Sequence, residues 1–239
     1  MPIQNPAEYL AARPYPGRGV LLGLTPGGHA AIAYFIMGRS ENSRNRVFTE
    51  KGEGIVTQAA DESRMQDPSL IIYAPVRCLG KHTIVTNGDQ TDTIYDNLAA
   101  GDSFEEALLT RTFEPDAPNY TPRISGLLAR GVAGFSYRLS ILKSAGGNAE
   151  SAQRFFFDYP QPLAGQGHLI HTYEQNGDPL PSFTGEPRCV AVHGDINAFG
   201  EGIWQSLNAD NKVSLFVRFI APDGTADTRI YNRFEKINP

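Results

Sequence analysis

Residues 19–37 read GVLLGLTPGGHAAIAYFIM, and the fold class turns on this stretch. Two apolar runs, 19–24 and 30–37, flank Thr25-Pro26-Gly27-Gly28, whose glycines can supply the positive φ of a β-hairpin turn. Outward from that hairpin, β-branched and aromatic runs recur between Gly, Pro, Asn and Asp clusters at 53–58, 69–79, 81–86, 135–143, 153–158, 168–173 and 188–193. A closing pair, 212–220 and 227–236, is turned by Pro222-Asp223-Gly224. Helices are few. One runs from about Asp92 to Arg111 with a break at Gly101-Asp102, where Ser103 and Glu106 form a capping box that restarts it. The other follows Asp195 as N-cap, with Ile196, Phe199, Ile203, Trp204 and Leu207 on one apolar stripe, which puts Trp204 in the core. Strands that outnumber grouped helices predict an α+β layered sandwich rather than a doubly wound parallel sheet.

The 239 residues, 41% hydrophobic and 20% charged, suffice for one sizeable core, so a single domain over 1–239 is expected. A formal net charge of −5 argues against a general nucleic-acid or anionic-membrane binder. A small anionic ligand stays open, because a few arginines in one pocket suffice to hold it. The opening MPIQNPAEYLAARPYPGRG carries prolines and charges where a signal peptide has an apolar core, and no apolar run reaches membrane-spanning length, so a cytoplasmic protein is expected. Cys78 and Cys189 lie far apart and read as reduced and inert, and the five histidines follow no metalloenzyme spacing, so no metal is expected. Neither the dinucleotide nor the P-loop glycine motif is found.

Four polar clusters carry candidate chemistry. Thr86-Asn87-Gly88-Asp89-Gln90-Thr91-Asp92-Thr93-Ile94 sits between a strand and a helix. It reads either as a donor-rich turn for an anion or developing oxyanion, or as a capping loop in which Thr91 or Asp92 satisfies the helix start. The segment 113–124, FEPDAPNYTPRI, places Glu114, Asp116 and Arg123 on a proline-stiffened loop, with a solvated connector as the plainer reading. Residues 38–46 interleave Arg39, Arg44 and Arg46 with hydrogen-bonding residues, a pattern that fits phosphate or a solvated turn. Tyr73-Ala74-Pro75-Val76-Arg77 offers a strand tyrosine that is either a packing residue or an acid.

Taken in chain order, these clusters resemble the archaeal-type IMP cyclohydrolase family. Tyr15-Pro16-Gly17-Arg18 is similar to that family's opening Y-x-G-R, and the segment ending at Arg44 or Arg46 to its S-R-S-x-x-N-R. Tyr73 to Arg77 resembles Y-x-x-x-R, Thr86 to Ile94 resembles S-N-G-x-x-T-D-T-I, and Thr121-Pro122-Arg123-Ile124 matches T-P-R-I. The N-G-x-x-T-D-T-I element is the most specific. His171 to Glu174 and Pro181 to Pro187 resemble later segments of related bacterial proteins. The sequence departs from the pattern in a longer extension, residues 1–14, and in Asp89-Gln90 where the family has a Ser-His-like pair. Arg44 and Arg46 both compete for one family position.

The resemblance implies a four-layer αββα sandwich like that of N-terminal nucleophile hydrolases, without an N-terminal nucleophile. Met1-Pro2 agrees, since removing methionine exposes no Cys, Ser or Thr. It also implies a cofactor-free cyclohydrolase, acting on carbon–nitrogen bonds in cyclic amidines, that closes 5-formamidoimidazole-4-carboxamide ribonucleotide to inosine monophosphate, and a homo-oligomer. In that reaction a tethered carboxamide nitrogen attacks a formyl carbon, so the protein mainly orients the groups and moves protons. Glu114, just ahead of T-P-R-I, is the expected base, with Asp92 second. Tyr73 is the expected donor to the formyl oxygen, helped by Asn87 and the turn's amides. Arg39, Arg44, Arg46, Arg77, Gly88, Thr91, Thr93 and Arg123 are the expected substrate-binding residues. Two other readings stay open: another amide or formamide hydrolase on the same scaffold, and a non-catalytic purine-nucleotide binder.

Overall fold

The hairpin expected at 19–37 forms as β1 (Arg18–Leu24) and β2 (Ala30–Met37), in register from Arg18 opposite Ile36 to Leu24 opposite Ala30. The computed structural model describes residues 2–237. Ahead of β1 lies α1 (Pro6–Ala11). After β2 come α2 (Glu41–Arg44), β3 (Arg46–Lys51), β4 (Gly54–Ala59), β5 (Val76–Leu79) and β6 (His82–Thr86). Two helices follow, α3 (Gln90–Ala100) and α4 (Phe104–Leu109), then β7 (Arg123–Gly131), β8 (Gly134–Ala145), β9 (Asn148–Tyr159), β10 (Gln166–His171) and β11 (Arg188–Ala191). The chain closes with α5 (Ile196–Ser206), β12 (Lys212–Ile220) and β13 (Ala226–Asn232).

The strands form two antiparallel sheets, β11-β10-β1-β2-β12-β13 and β3-β4-β5-β6-β7-β8-β9, which makes the protein α+β with few helices. Every residue of β2 is buried, and the side-chain alternation explains why. Val20, Leu22, Ile32, Tyr34 and Ile36 pack against Phe48, Val85, Ile124 and Ile141 of the other sheet. The intervening Leu21, Ala33 and Phe35 pack against Tyr9 and Leu10 of α1 and Phe199 and Ile203 of α5. A strand covered on both faces has no polar face to show, hence the unbroken apolar run AAIAYFIM. On the far face of the seven-stranded sheet, Ile84, Leu127 and Leu142 meet Ile94, Phe104 and Leu108 of α3 and α4.

Several local expectations shift. The strand expected over 69–79 pairs with β6 only from Val76, because Ile71 and Ile72 turn back to donate to the Pro68 carbonyl. The helical region breaks as expected: Gly101 caps α3 at φ +99°, and Ser103 with Glu106 forms the capping box of α4. β3 and β7 are strands beyond those expected, each opening on an arginine that ends a segment readable as a turn or loop, and the last strand ends at Asn232 instead of residue 236. Within the segment read as an extension, Tyr9 and Leu10 of α1 are buried against the sheet. Trp204 lies at the margin of the core, half-buried, stacked on Tyr231 with the Lys212 ammonium 4.4 Å from its ring centroid. Cys78 and Cys189 are free thiols. No helix among the described residues is long and apolar enough to cross a membrane.

His171 ties α1 to the sheet. Its Nε2 lies 2.7 Å from the Tyr9 hydroxyl and its Nδ1 2.9 Å from the Tyr173 carbonyl, so the neutral ring accepts from one and donates to the other. Burial pushes its pKa down to about 3. Stability from the neutral ring is therefore full above the unfolded value near 6.5 and is lost as pH falls through about 3, at about 1.4 kcal/mol per pH unit. Chemical denaturation of the wild type and His171→Gln at pH 7 and pH 4.5 should show the variant losing less stability on acidification; equal losses would contradict this role.

Candidate active site

Arg18 opens β1, Arg46 opens β3, Arg123 opens β7 and Thr86 closes β6, so polar side chains from both sheets gather where these strands begin and end. At their centre is Glu114, on the loop between α4 and β7, which is pinned by Glu114 N donating to the Thr121 carbonyl at 2.9 Å. Its side chain is 2% exposed, with Oε2 3.7 Å from Arg18 Nη2 and Oε1 accepting from Asn87 Nδ2 at 3.5 Å. Burial raises the Glu114 carboxyl to about 7 against the pull of Arg18 and Arg123. A carboxylate that titrates near neutrality is suited to take and return a proton.

Asn87 is fully engaged. Its Nδ2 also donates to the Pro122 carbonyl at 2.9 Å, while Oδ1 accepts from Gln90 Nε2 at 2.9 Å and from Ile124 N at 2.8 Å. The backbone N–H groups of Asn87 and Gly88 are bonded to the Ile124 carbonyl and the Thr86 hydroxyl. This turn therefore holds Glu114 and Arg123 in place, with its Asn87 and Gly88 amides already engaged. Thr86 and Thr91 lock it, their hydroxyls 2.6 Å apart and each 2.9 Å from the Gly88 carbonyl, so that one donates to the other and the other to the carbonyl. Neither Thr91 nor Asp92 caps α3; its N-cap is Asp89, which makes no side-chain capping bond. Asp89 and Gln90 instead both accept from Arg123 Nη1, at 2.6 and 2.7 Å, and Asp89 also pairs with Arg111. The Asp89-Gln90 departure from the family pattern is thus a clamp on Arg123.

Gly88 sits within this clamp. A Cβ there would fall 2.7 Å from both Arg123 Nη1 and Gln90 Oε1. Gly88→Ala is expected to cost about 1–3 kcal/mol of stability by overpacking and to lower activity with it. Denaturant midpoints check this, and an unchanged midpoint contradicts the packing described.

On the other side of Glu114 stand arginines and phenols. Arg46 is fully buried; Nε donates to the Ser43 carbonyl at 2.7 Å and Nη2 reaches the Met37 carbonyl at 3.4 Å, while Nη1 has no partner among the described residues. Burial and the neighbouring Arg18 lower its pKa, with Tyr73 acting in the opposite sense. Tyr73, half-buried just before β5, has its hydroxyl 2.7 Å from that of Tyr34. Burial and Tyr73 itself push the Tyr34 phenol well up, which keeps Tyr34 neutral. Tyr173 completes the wall: it stacks on Tyr15 at 6.0 Å and its hydroxyl meets that of Thr121 at 2.5 Å.

The structure thus brings together Tyr73, Glu114, Asn87, Arg46, Gly88, Thr91 and Arg123. It places the other sequence candidates elsewhere. Asp92 is exposed and paired with Arg77 at 2.7 Å, and Arg77 lies over the Tyr95 ring at 3.4 Å. The 3.6-residue period of α3 turns Thr91 and Ile94 inward and Asp92 outward. Thr93 is half-buried on the same helix, where its carbonyl accepts from Asn97. Arg39 stays at the exposed margin, its guanidinium 5.2 Å from the ring centroid of Tyr15 and held by Asn176 and the Gly177 carbonyl, while Arg44 is held by the Gly38 carbonyl and Asn211. Arg18, Tyr34 and Tyr173 are members that the sequence reading did not name as site residues. For Arg18 the signal was present in Tyr15-Pro16-Gly17-Arg18, where Gly17 holds φ +79° and a Cβ would fall 2.2 Å from Thr172 Oγ1.

Two antiparallel sheets, with a buried carboxylate set among guanidinium and phenol groups at the strand ends, define an α+β protein. The model of the family described as IMP cyclohydrolase-like protein matches residues 15–224, and the chain belongs to that family. It is similar to the IMP cyclohydrolase of Methanopyrus kandleri, 29% identical over 171 residues that cover 70% of this chain and 79% of the relative. The IMP cyclohydrolase of Methanococcus maripaludis strain C6 is 31% identical over 127 residues, 52% of this chain and 62% of its own. That of Halobacterium salinarum is 35% identical over 120 residues, 48% of this chain and 57% of its own.

Proposed function

We propose that this protein is an IMP cyclohydrolase, which dehydrates 5-formamidoimidazole-4-carboxamide ribonucleotide to inosine monophosphate in purine biosynthesis. The observation that carries the reading is Glu114, 2% exposed beside Arg18 and Asn87 and raised to about 7, in a chain of this family. In the first step the carboxamide nitrogen bonds to the formyl carbon, Glu114 takes the nitrogen's proton and the Tyr73 hydroxyl gives its proton to the formyl oxygen. In the second, Glu114 returns a proton to the carbinol oxygen, which leaves as water. The tyrosinate then takes the remaining formamide N–H proton as the C=N bond forms, and both side chains are restored. Because the reacting groups belong to one molecule, orientation supplies much of the acceleration.

Asn87 orients Glu114 in this reading. Arg18 and Arg46 stabilise charge on the carboxylate and the developing oxyanion, and Arg123 receives the 5′-phosphate or polarises the carboxamide. Asp92 and Arg77, paired with each other on the outer face, are not assigned to the chemistry. The succession of α1 and α5, one sheet, the second sheet, then α3 and α4 supports a four-layer αββα sandwich in one domain. The outer edge of β9, unpaired among the described residues, leaves room for a homo-oligomer, while Gln4 covers that of β11. A phosphorylated nucleotide does not cross membranes unaided, so the cytoplasm is the expected site of action. The test is incubation of the purified protein with the formamido ribonucleotide, following the ultraviolet change as the purinone forms. Turnover supports the proposal; its absence, with hydrolysis of a linear amide instead, replaces it with the hydrolase reading.

A further inference from the structure

At the opposite end of the strands the two sheets part around a cavity of about 420 Å³, walled by the β3–β4, β5–β6 and β12–β13 turns and the end of β7. Its lining includes three cations, Lys81, Arg130 and Arg218, and one carboxylate, Glu53. Arg218 is the built part. It alternates with Phe216 and Ile220 on the inter-sheet face of β12 and is only 7% exposed. Its Nε donates to Thr228 Oγ1 at 2.9 Å, and Nη1 crosses to the other sheet to reach the Glu53 carbonyl at 2.7 Å. Nη2 makes no hydrogen bond among the described residues, although Arg218 lines the cavity.

Arg130 faces it from the end of β7, where its Nη1 has only long contacts, 3.4 and 3.3 Å, to the Pro222 and Asp223 carbonyls. Gly224 leaves room for this guanidinium: a Cβ there would fall 2.9 Å from Arg130 Nη2. The Thr83 and Thr228 side chains also line the cavity. A guanidinium fixed on two sides with its third nitrogen unengaged, a second one loosely held and an ammonium nearby is an arrangement that matches the oxygens of a phosphate. No carboxylate forms an ion pair with Lys81, Arg130 or Arg218 among the described residues. The volume exceeds what a bare phosphate fills and suits a small phosphorylated metabolite. Arg123 and Arg130 are seven residues apart on β7, which separates this cavity from Glu114 and its neighbours by about 23 Å at about 3.3 Å per residue.

We propose that this cavity is a second binding site, separate from the cluster around Glu114, for a phosphate group, free or carried as a monoester. The test is titration of the full-length protein with inorganic phosphate and, separately, ribose 5-phosphate, followed by amide NMR shifts. Gly80, Lys81, Thr83, Gly224 and Thr228 should shift saturably, with millimolar or tighter midpoints, and Lys81→Ala/Arg130→Ala should weaken that response at least tenfold. Gly88 and Arg123 report the other site in the same spectra, so the two readings stand or fall separately. Tighter binding of ribose 5-phosphate assigns the rest of the cavity to an organic moiety, and equal binding assigns it to phosphate alone; either supports the site. Shifts that stay linear to tens of millimolar, or that survive the double substitution, overturn it.

Discussion

Glu114→Gln is expected to lower kcat for ring closure by about 10²- to 10⁴-fold, the range for loss of a positioned proton-transfer group. The amide keeps the shape of the side chain but cannot take the carboxamide proton. The pH dependence gives the sharper signature. A base raised to about 7 is ionised above that pH and protonated below it, so wild-type kcat/KM should rise with pH and level off above about 7. The residual activity of the variant should lack that limb. Stability runs the other way. The fold favours the neutral acid, so the contribution of Glu114 is full below its unfolded value near 4.5 and is lost as pH rises through about 7. Glu114→Gln should flatten that decline. A variant that keeps more than a tenth of kcat, or the same acid limb, would assign the base elsewhere.

The second large effect is expected at Tyr73. Tyr73→Phe removes the proposed proton donor to the formyl oxygen and leaves the Tyr34 hydroxyl, now 2.7 Å from nothing it can bond, buried without its partner. A kcat loss of about 10²-fold or more with little change in KM is expected if the hydroxyl acts mainly in the transition state. Tyr34→Phe separates donation from orientation: it keeps the donor but frees its hydroxyl, so a smaller kcat loss is expected. Equal losses in the two variants would make the pair a structural hydrogen bond, and steady-state kinetics on both proteins decides between these outcomes.

Local signals in the sequence located the framework well. The Thr25-Pro26-Gly27-Gly28 turn, the Ser103–Glu106 capping box and the Asp195 cap all work through neighbouring residues, and each is found where those residues place it. The strand β7 was hidden because Arg123 and Ile124 lie in a motif that reads as a loop, while its burial comes from partners on β6 and β8. The segment 69–79 failed as one strand because Pro75 interrupts it and its first residues turn back to the Pro68 carbonyl. Trp204 matched the stripe of α5, yet its neighbours Tyr231 and Lys212 leave it at the rim.

In the candidate site, motif likeness pointed to Glu114, Asn87, Tyr73, Arg46 and Arg123, and long-range folding brings these five together across 77 residues of sequence from Arg46 to Arg123. Spacing alone could not choose between Arg44 and Arg46; burial does, since Arg46 opens β3 facing the interior while Arg44 stays on α2 bonded to Asn211. Nor could it show that Asp92 points away, which depends on the rotation of α3. Tyr34 looked like any core residue of an apolar strand. Only its hydroxyl partner on a distant segment reveals another use.

The most direct test is the crystal structure of the protein with inosine monophosphate. The purinone ring is expected against Glu114 and Tyr73, within hydrogen-bond distance of both, with the 5′-phosphate on an arginine of the same cluster. A nucleotide bound instead on the outer face of α3 beside Arg77 and Asp92, with no contact to Glu114 or Tyr73, would contradict that placement.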